Sequence, residues 1–296
     1  MPNNRTIQEA LQWASSFLAE RKLEQPVGEL LLRHYLQVNR THFLMMLQEP
    51  LSKAVWNQLS SDLEQHAQGV PVQHLIGYEI FYGRRFKVNG DVLIPRPETE
   101  ELVEVVSERA QKLFQERMIQ VVDVGTGSGA IAITLALENA QMNIEAIDIS
   151  PQAIMVAKEN ARSLEADVTF MNGDLLTPYV SLKRKVDVVV SNPPYIPVRD
   201  EGKLAVHVKG HEPHLALFGG EDGLDVYRRF MTELPQVIEE TGLVAFEVGI
   251  GQAQTVCEML STVFPHAVTE IKRDINGKER IVMAYGTMTT RSLRRM

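Results

Sequence analysis

The sequence predicts an α/β domain with a seven-stranded, largely parallel sheet whose last two strands form an antiparallel hairpin, preceded by a small helical N-terminal domain. From Ile119 onward, short β-branched runs alternate with helical runs, which is typical of a parallel sheet with helices on both faces. Residues 6–68 show only helical periodicity. The Asn276-Gly277 pair between the last two predicted strands indicates a tight hairpin turn.

The composition is typical of a globular enzyme. A length of 296 residues allows two domains, with 44% hydrophobic and 23% charged residues. The net charge of −8 disfavours a broad nucleic-acid-binding face, because such faces depend on clustered Lys and Arg. A single cysteine, Cys257, excludes an intrachain disulfide and a cysteine-based zinc site, and we expect it to pack in the core. Residues 1–20 lack a continuous apolar stretch, so we expect a cytoplasmic protein.

Changes of pattern divide the chain into a helical domain over residues 1–72, a hairpin linker over 73–97, the α/β domain over 98–286 and a basic tail over 287–296. Pro26 and Pro50 are each expected to open a new helix in the first domain. One face of its first helix is apolar at i, i+3, i+4, i+7 spacing, and its members are Ile7, Ala10, Leu11, Ala14, Phe17 and Leu18. No catalytic constellation appears there, so this domain is expected to pack or to grip a large substrate.

The elements of the second part follow in order. Residues 79–83 and 85–88 predict a short hairpin that turns at Gly83 and Arg84. The helix after Pro97 begins with glutamates, which we interpret as complementing the helix dipole rather than as active-site groups. Strands are predicted at 119–124, 143–147, 167–171, 186–191, 243–248, 267–271 and 280–285, and helices at 129–138, 151–164, 224–239 and 252–264.

The loop after the first of these seven strands reads Gly125-Thr126-Gly127-Ser128-Gly129. Glycines at alternate positions let the backbone turn tightly and approach a ligand at the carboxyl edge of the sheet. The spacing differs from the Gly-x-Gly-x-x-Gly of dinucleotide sites, and no Walker lysine follows, which disfavours NAD and ATP. The five residues are therefore predicted to bind another cofactor.

Two aspartates follow the next two strands. Asp148 lies where a carboxylate can accept hydrogen bonds from both ribose hydroxyls of an adenosine. Ser150 and Pro151 already provide the cap and first turn of the next helix, so we favour the ribose role over capping. Asp174 is placed to contact the adenine amino group, with Leu175 as an apolar neighbour, although an ordinary turn aspartate is nearly as good an interpretation.

The fourth strand ends in Asn192-Pro193-Pro194-Tyr195. Two prolines end the ladder and stiffen the loop, because neither has a backbone N–H. The Asn192 side-chain oxygen and the Pro193 carbonyl can accept both hydrogens of one planar –NH2 group, while the Tyr195 ring offers a face to stack against it. We predict Asn192, Pro193 and Tyr195 as catalytic and all four residues as substrate-binding. Alone, the string could equally be a strand-ending turn.

Together, the glycine loop, the ribose carboxylate, the adenine-side aspartate and the Asn-Pro-Pro-Tyr string resemble the class I methyltransferases, a Rossmann-like fold that uses S-adenosylmethionine on amino groups. The resemblance covers about residues 119–285. It implies S-adenosyl-L-methionine as the cofactor, S-adenosyl-L-homocysteine as the product, and binding of the cofactor by the glycine loop, Asp148, Asp174, Leu175 and Asn192.

Flanking segments distinguish two groups that share the tetrapeptide, the nucleic-acid amino methyltransferases and the protein-glutamine methyltransferases. Here the flanking segments and the helical N-terminal domain resemble release-factor glutamine N5-methyltransferases, the PrmC or HemK family, over almost the whole chain. The segments are 77–83, 92–100, Glu212-Pro213, 216–224 and Glu247-Val248-Gly249 with Gln252.

The family resemblance implies methylation of the glutamine in the Gly-Gly-Gln loop of class I peptide-chain release factors. Release factors are then the expected partners, held in part by the helical domain. We expect a monomer that binds neither nucleic acid directly nor a membrane. Three alternatives stay open: a nucleic-acid adenine amino methyltransferase, a glutamine methyltransferase of a ribosomal protein, and a catalytically silent cofactor-binding adaptor of the translation machinery.

Three histidines, His207, His211 and His214, have a spacing that could suggest a metal site. A glycine and a proline between them interrupt any helix that would align them, so we favour a loop and expect no bound metal. The surrounding stretch, residues 199–223, is long and rich in glycine, which is typical of a lid or substrate-docking loop.

Overall fold

The structure is a computed structural model that describes residues 5–204 and 206–290. These residues fold into two compact units. The smaller comprises residues up to 77 together with 206–211, and the larger comprises 78–204 and 212–290. The division therefore follows Gly77, and the predicted linker over 73–97 is split between the two units. The arginines of the predicted basic tail, at 291, 294 and 295, lie outside the described residues.

The first unit begins with five helices: α1 (Ile7–Glu20), α2 (Pro26–Leu36), α3 (Arg40–Met45), α4 (Lys53–Ala67) and α5 (Val72–Ile76). Thr6 caps α1 in a reciprocal arrangement with Glu9, and four of the six predicted face residues are fully buried. Pro26 opens α2 as predicted. The expectation for Pro50 was wrong, because it forms an isolated bridge with Thr6 and α4 starts behind the Ser52 cap.

The second unit opens with an antiparallel hairpin of β1 (Tyr78–Phe81) and β2 (Arg84–Lys87), followed by the long helix α6 (Pro97–Phe114). The turn was predicted one residue too late. It lies at Tyr82-Gly83, which both have positive φ, so glycine takes the second turn position and the strands shift accordingly. The hairpin packs into the core of the second unit through Phe81 and Phe86.

The remaining strands form one seven-stranded sheet in the order β5-β4-β3-β6-β7-β9-β8, and the predicted fold class is confirmed. All pairs are parallel except β7 with β9 and β8 with β9. The strands are β3 (Ile119–Val124), β4 (Met142–Asp148), β5 (Val168–Asn172), β6 (Val186–Ser191), β7 (Ile238–Glu247), β8 (Ala267–Arg273) and β9 (Glu279–Thr287).

Eight helical segments follow β3 along the chain, and helices of the second unit bury an apolar cluster on each face of the sheet. In chain order they are α7 (Ala130–Glu138), α8 (Pro151–Ser163), α9 (Thr177–Leu182), a 3-10 helix (Val198–Lys203), α10 (Val206–His211), α11 (His214–Leu217), α12 (Asp225–Val237) and α13 (Ala253–Val263). Of these, α10 belongs to the first unit. Cys257 is partly buried on α13 against one cluster, as expected.

Three features of the chain after α6 departed from prediction. The helix α9 was missed because its six residues are too short to show periodicity. Strand β7 starts five residues before the predicted position, where Glu239 and Glu240 disguise an exposed strand end. The stretch 199–223 contains three short helical segments rather than a continuous loop.

Among the residues that the structure describes, none of the helices combines the length with the apolar character that a bilayer crossing requires.

We expect Asn160→Ala to lower the free energy of unfolding by about 2 kcal/mol, because it would leave buried backbone groups without hydrogen-bond partners. The buried Asn160 amide donates to the carbonyls of Ser128, at 2.8 Å, and Lys87, at 3.1 Å, and accepts from the Lys87 N–H at 2.7 Å. Urea unfolding of Asn160→Ala beside Lys158→Ala, an exposed change on the same helix, checks this. Equal midpoints and slopes for the two variants would contradict it.

Candidate active site

The two principal motifs meet at the carboxyl edge of the sheet. The glycine loop follows β3, the Asn-Pro-Pro-Tyr string follows β6, and these strands are parallel neighbours. At their ends the Ser191 hydroxyl donates to the Val124 carbonyl across 2.5 Å. Neighbouring strand ends of this kind are where open α/β sheets bind ligands.

The glycine loop has the backbone that a close-fitting ligand needs. Gly125 and Gly127 both have positive φ, at 74° and 56°. Among the described residues other than each glycine and its two chain neighbours, no heavy atom lies within 4 Å of a Cβ built on it, so the surface above these glycines is open. Thr126 and Ser128, also predicted to bind cofactor, are buried, and the Thr126 hydroxyl is used internally.

Asp148 supports this loop from the end of β4. One carboxylate oxygen accepts from the Gly127 N–H and the other from the Ser150 N–H, each at 2.8 Å. Burial raises the pKa of Asp148, and these backbone hydrogen bonds oppose the rise. Ser150 caps α8 as predicted. Asp148 therefore has backbone partners of its own, and each oxygen retains a second lone pair for a ribose hydroxyl.

Asp123 lies beneath the loop and was not predicted as a site residue. Its Oδ2 accepts from the Thr126 hydroxyl at 2.6 Å and from the Ala132 N–H at 3.2 Å. Its Oδ1 is buried and has no hydrogen-bond partner in the described part of the chain. Complete burial raises the pKa of Asp123 to about 7, against the hydrogen bonds, which lower it. The residues present thus fit a ligand that brings a hydrogen-bond donor or a positive charge.

Two further predicted cofactor-binding residues, Asp174 and Leu175, follow β5. Asp174 is half exposed and forms an ion pair with Arg229 at 2.9 Å. Leu175 has a φ of +47° and packs against the apolar cluster on its face of the sheet. The Asp174 contact to an adenine amino group stays a prediction, since one of its oxygens already has a cationic partner.

Asn192 is anchored by a residue that sequence reasoning did not find. Its Nδ2 donates to the Thr99 hydroxyl at 3.2 Å, and Thr99 in turn donates to Glu247 Oε2 at 2.6 Å. Thr99 lies in the first turn of α6 and Glu247 at the end of β7. Within residues 5–204 and 206–290, no protein group donates to Asn192 Oδ1 or to the Pro193 carbonyl.

Tyr195 is held by its backbone as well as its ring. The Gln252 amide donates to the Tyr195 carbonyl at 2.9 Å and accepts from the Gly249 N–H at 2.9 Å. The ring packs over Gly249, and its hydroxyl lies 3.4 Å from Glu247 Oε1, a long hydrogen bond. Burial and the nearby Glu247 carboxylate raise the pKa of Tyr195 above its ordinary value. The phenol therefore stays neutral at physiological pH.

Glu247 is a buried carboxylate that also escaped assignment from the sequence. Burial raises its pKa to about 7, while the Thr99 hydrogen bond, the Arg280 charge and the Tyr195 hydrogen bond oppose the rise. The Tyr227 hydroxyl donates to its main-chain carbonyl at 2.7 Å. A buried carboxyl group whose pKa lies near neutral pH, next to predicted catalytic residues, is typical of a functional site.

The start of α6, which carries Thr99, is held in place by Glu212. This buried carboxylate accepts from the Ile94 N–H at 3.1 Å and from the Arg96 guanidinium at 2.5 Å. The pairing fixes the Pro95-Arg96-Pro97 segment that leads into α6. The segment 92–100 and the pair Glu212-Pro213 both contributed to the family resemblance, and these hydrogen bonds connect them in the fold.

A cavity of about 610 Å3 opens beside the tetrapeptide. Tyr195, Gly249 and Gln252 line one part of it, with Arg199 and Arg280 in its charged part. Its size is within the range of small-ligand and peptide-side-chain pockets.

The predicted histidine loop needs correction. His207 and His211 belong to α10 and His214 begins α11, with Pro213 as its N-cap, so all three histidines lie in short helices. Gly210 is accommodated inside α10 instead of breaking it. In the described part of the chain, no group of three or more His, Cys, Asp or Glu is arranged to hold a metal ion.

Comparisons with known proteins agree with this geometry. A model of the PrmC N-terminal domain matches residues 9–77, and a model of the methyltransferase small domain matches residues 100–209. Among solved structures, the catalytic domain of hMettl16 shares the fold with a TM-score of 0.52 at 13% identity, covering 81% of this chain and 84% of that one. A methyltransferase from Pyrococcus furiosus shares the fold with a TM-score of 0.50 at 14% identity, covering 69% of this chain and 89% of that one.

Two relatives named release factor glutamine methyltransferase match at high identity over nearly their full length. The one from Bacillus cereus is 53% identical over 278 residues, which is 94% of this chain and 98% of the relative. The one from Bacillus subtilis is 47% identical over 281 residues, which is 95% of this chain and 98% of the relative. Identity of this extent, on a fold and a site of this geometry, shows that the chain belongs to the release factor glutamine methyltransferase family.

Proposed function

We propose that this enzyme transfers a methyl group from S-adenosylmethionine to the side-chain N5 of the glutamine in the Gly-Gly-Gln motif of peptide-chain release factors. The observation that carries the proposal is the anchored Asn192 amide. Because Nδ2 is held by Thr99, Oδ1 is the atom left to face a substrate –NH2 group. Family membership identifies this group as a glutamine amide, since the relatives carry that name.

The donor fits the residues at the β3 and β4 ends. The glycine loop and Asp148 would hold its adenosine part, and the buried carboxyl group of Asp123 lies below the loop as a hydrogen-bond acceptor. When bound, S-adenosylmethionine supplies a methyl group on a positively charged sulfur, which keeps the electron pair as the S–C bond breaks. Asp174 and Leu175 are proposed to border the adenine.

The chain's own task is to make an amide nitrogen react. That nitrogen is a poor nucleophile because its lone pair is delocalised into the carbonyl. Asn192 Oδ1 and the Pro193 carbonyl accept its two N–H bonds, which directs the lone pair at the methyl carbon and stabilises the positive charge that develops on nitrogen. Alignment of this kind is worth roughly 7 to 11 kcal/mol in favourable systems. The N–C bond would form as the S–C bond breaks, and the proton would be lost to water afterwards, when the nitrogen is far more acidic.

The remaining expectations form part of the same proposal. The helical unit is proposed to help hold the release factor. A net charge of −8 supports a protein substrate over direct nucleic-acid binding. The enzyme is proposed to act as a monomer in the cytoplasm, where translation termination takes place.

The substrate is tested by incubating the enzyme and labelled methyl donor with a class I release factor. We expect one methyl group on the glutamine of the Gly-Gly-Gln peptide, located by mass spectrometry. A release factor with that glutamine changed to alanine is the control and should remain unlabelled. Label in DNA, RNA or ribosomal proteins instead would support one of the alternative activities, and cofactor binding without transfer would support an adaptor.

Asn192→Ala should reduce kcat by roughly 10²- to 10³-fold, the usual effect of removing one group that stabilises developing charge. The Kd for S-adenosylmethionine, measured by isothermal titration, should stay within a few-fold of wild type. Asn139→Ala, which removes an asparagine hydrogen-bonded to Ser107 in the same unit, is the control and should retain full turnover. Wild-type turnover by Asn192→Ala would refute the assigned role.

Tyr195→Ala should raise KM for the release factor and lower kcat together, because the ring packs beside the acceptor amide. Tyr195→Phe keeps the ring and loses only the long hydrogen bond to Glu247, so its constants should stay near wild type. Steady-state kinetics of the pair distinguishes ring from hydroxyl. Equal losses in both variants would assign the effect to the hydroxyl instead.

A further inference from the structure

We propose that Thr99 is a positioning residue that, through hydrogen bonds to Glu247 and Asn192, determines which end of the Asn192 amide faces the methyl-acceptor nitrogen. The inference deepens the proposed function and rests on it. Thr99 and Asn192 are 93 residues apart in the chain, and Thr99 and Glu247 are 148 apart. All three meet only in the folded enzyme.

The direction of the hydrogen bonds follows from the chemistry of one hydroxyl. A hydroxyl carries a single hydrogen, and an ionised carboxylate can only accept. With Glu247 ionised, the Thr99 hydrogen must point to Oε2, which is 2.6 Å away. Thr99 can then only accept from Asn192, so the amide must turn Nδ2 toward Thr99. Oδ1 is thereby aimed at the substrate without any direct contact between Glu247 and the substrate.

A protonated Glu247 permits the opposite arrangement. Its O–H can donate to Thr99, which frees the Thr99 hydrogen to donate to Asn192. The amide would then turn Oδ1 toward Thr99 and present its –NH2 group to the –NH2 group of the substrate. Two donors facing each other cannot hold the acceptor nitrogen. The ionised state of Glu247 is therefore the state that supports methyl transfer.

The surroundings of Glu247 show which groups can influence this switch. Tyr195 and Arg280 face it from the loop after β6 and from β9, and Glu98 acts on it from the start of α6. Tyr227 on α12 contacts its main-chain oxygen. Both tyrosines have pKa values raised above their ordinary range, so they stay neutral while Glu247, whose burial raises its pKa to about 7, changes charge.

The first test is kinetic and uses saturating S-adenosylmethionine, so that titration of Asp123 under the cofactor loop does not limit the rate. Wild-type kcat should rise roughly tenfold between about pH 6 and pH 8, as expected for one carboxyl with a pKa near 7. Thr99→Val should lower kcat ~10- to 100-fold, the usual loss for a group that orients another, and should remove this pH dependence. Thr99→Ser keeps the hydroxyl and should restore both properties.

Two further variants separate positioning from packing. Thr134→Val removes a fully buried threonine hydroxyl that has no hydrogen-bond partner in the described chain, and it should leave kcat and its pH dependence unchanged. Glu247→Gln, which cannot ionise, should give a kcat that no longer rises with pH. Thermal unfolding by circular dichroism establishes that each variant is folded. A Thr99→Val enzyme with wild-type kcat and wild-type pH dependence would overturn the proposal, as would a Thr99→Ser enzyme no better than Thr99→Val.

The second test needs no substrate. The side-chain –NH2 resonances of Asn192, assigned by their loss in Asn192→Ala, should shift with pH through about 7 in the wild type and stay constant in Thr99→Val. Wild-type resonances that do not change with pH would overturn the proposal. A pH shift with no methyl transfer to a release factor would leave the orientation of Asn192 standing and refute the proposed substrate.

Discussion

The pairing of β3 with both β4 and β6 is the constraint on which the site depends. Because β3 is parallel to both neighbours, the carboxyl ends of β4, β3 and β6 lie side by side at one edge of the sheet. Residue Asp123 is in register with Ala146 on one side and Val190 on the other, so the loops that follow start at the same level. The chain order reverses here, with β4 and β5 on one side and β6 and β7 on the other, and this reversal opens the crevice that a ligand can enter.

The sheet alone does not complete the site, because Asn192 needs a partner from outside the parallel strands. The start of α6 supplies Thr99, and the Glu212 carboxylate fixes the segment that leads into that helix. Glu247 then joins α6 to the end of β7. A chain of hydrogen bonds between three elements is more rigid than any one loop, which is the property that a positioning site needs.

Local signals in the sequence were sufficient for the number and order of the strands and for the positions of both loop motifs. Each strand has its own apolar pattern, and the glycine and proline residues mark loops by their backbone preferences alone. The partners of the site residues were not predictable in this way. Thr99 reads as one polar residue among helix-starting glutamates, and only burial against Glu247, 148 residues away, gives it a role. The pairing of Asp174 with Arg229 was hidden for the same reason.

The two buried carboxylates set stability and activity against each other. Asp123 and Glu247 both have pKa values raised by burial to about 7, so the folded state binds more protons than the unfolded state between about pH 4 and pH 7. The contribution of these two groups to folding stability therefore falls as pH rises through this range, and a shift of this size in Glu247 costs about 3 kcal/mol at neutral pH. An apolar residue in place of Glu247 would remove that cost, but it could not impose a direction on the Thr99 hydroxyl. On the proposed role of Thr99, the charge that destabilises the fold is the one that orients Asn192, which gives a physical reason for a costly buried acid at this position.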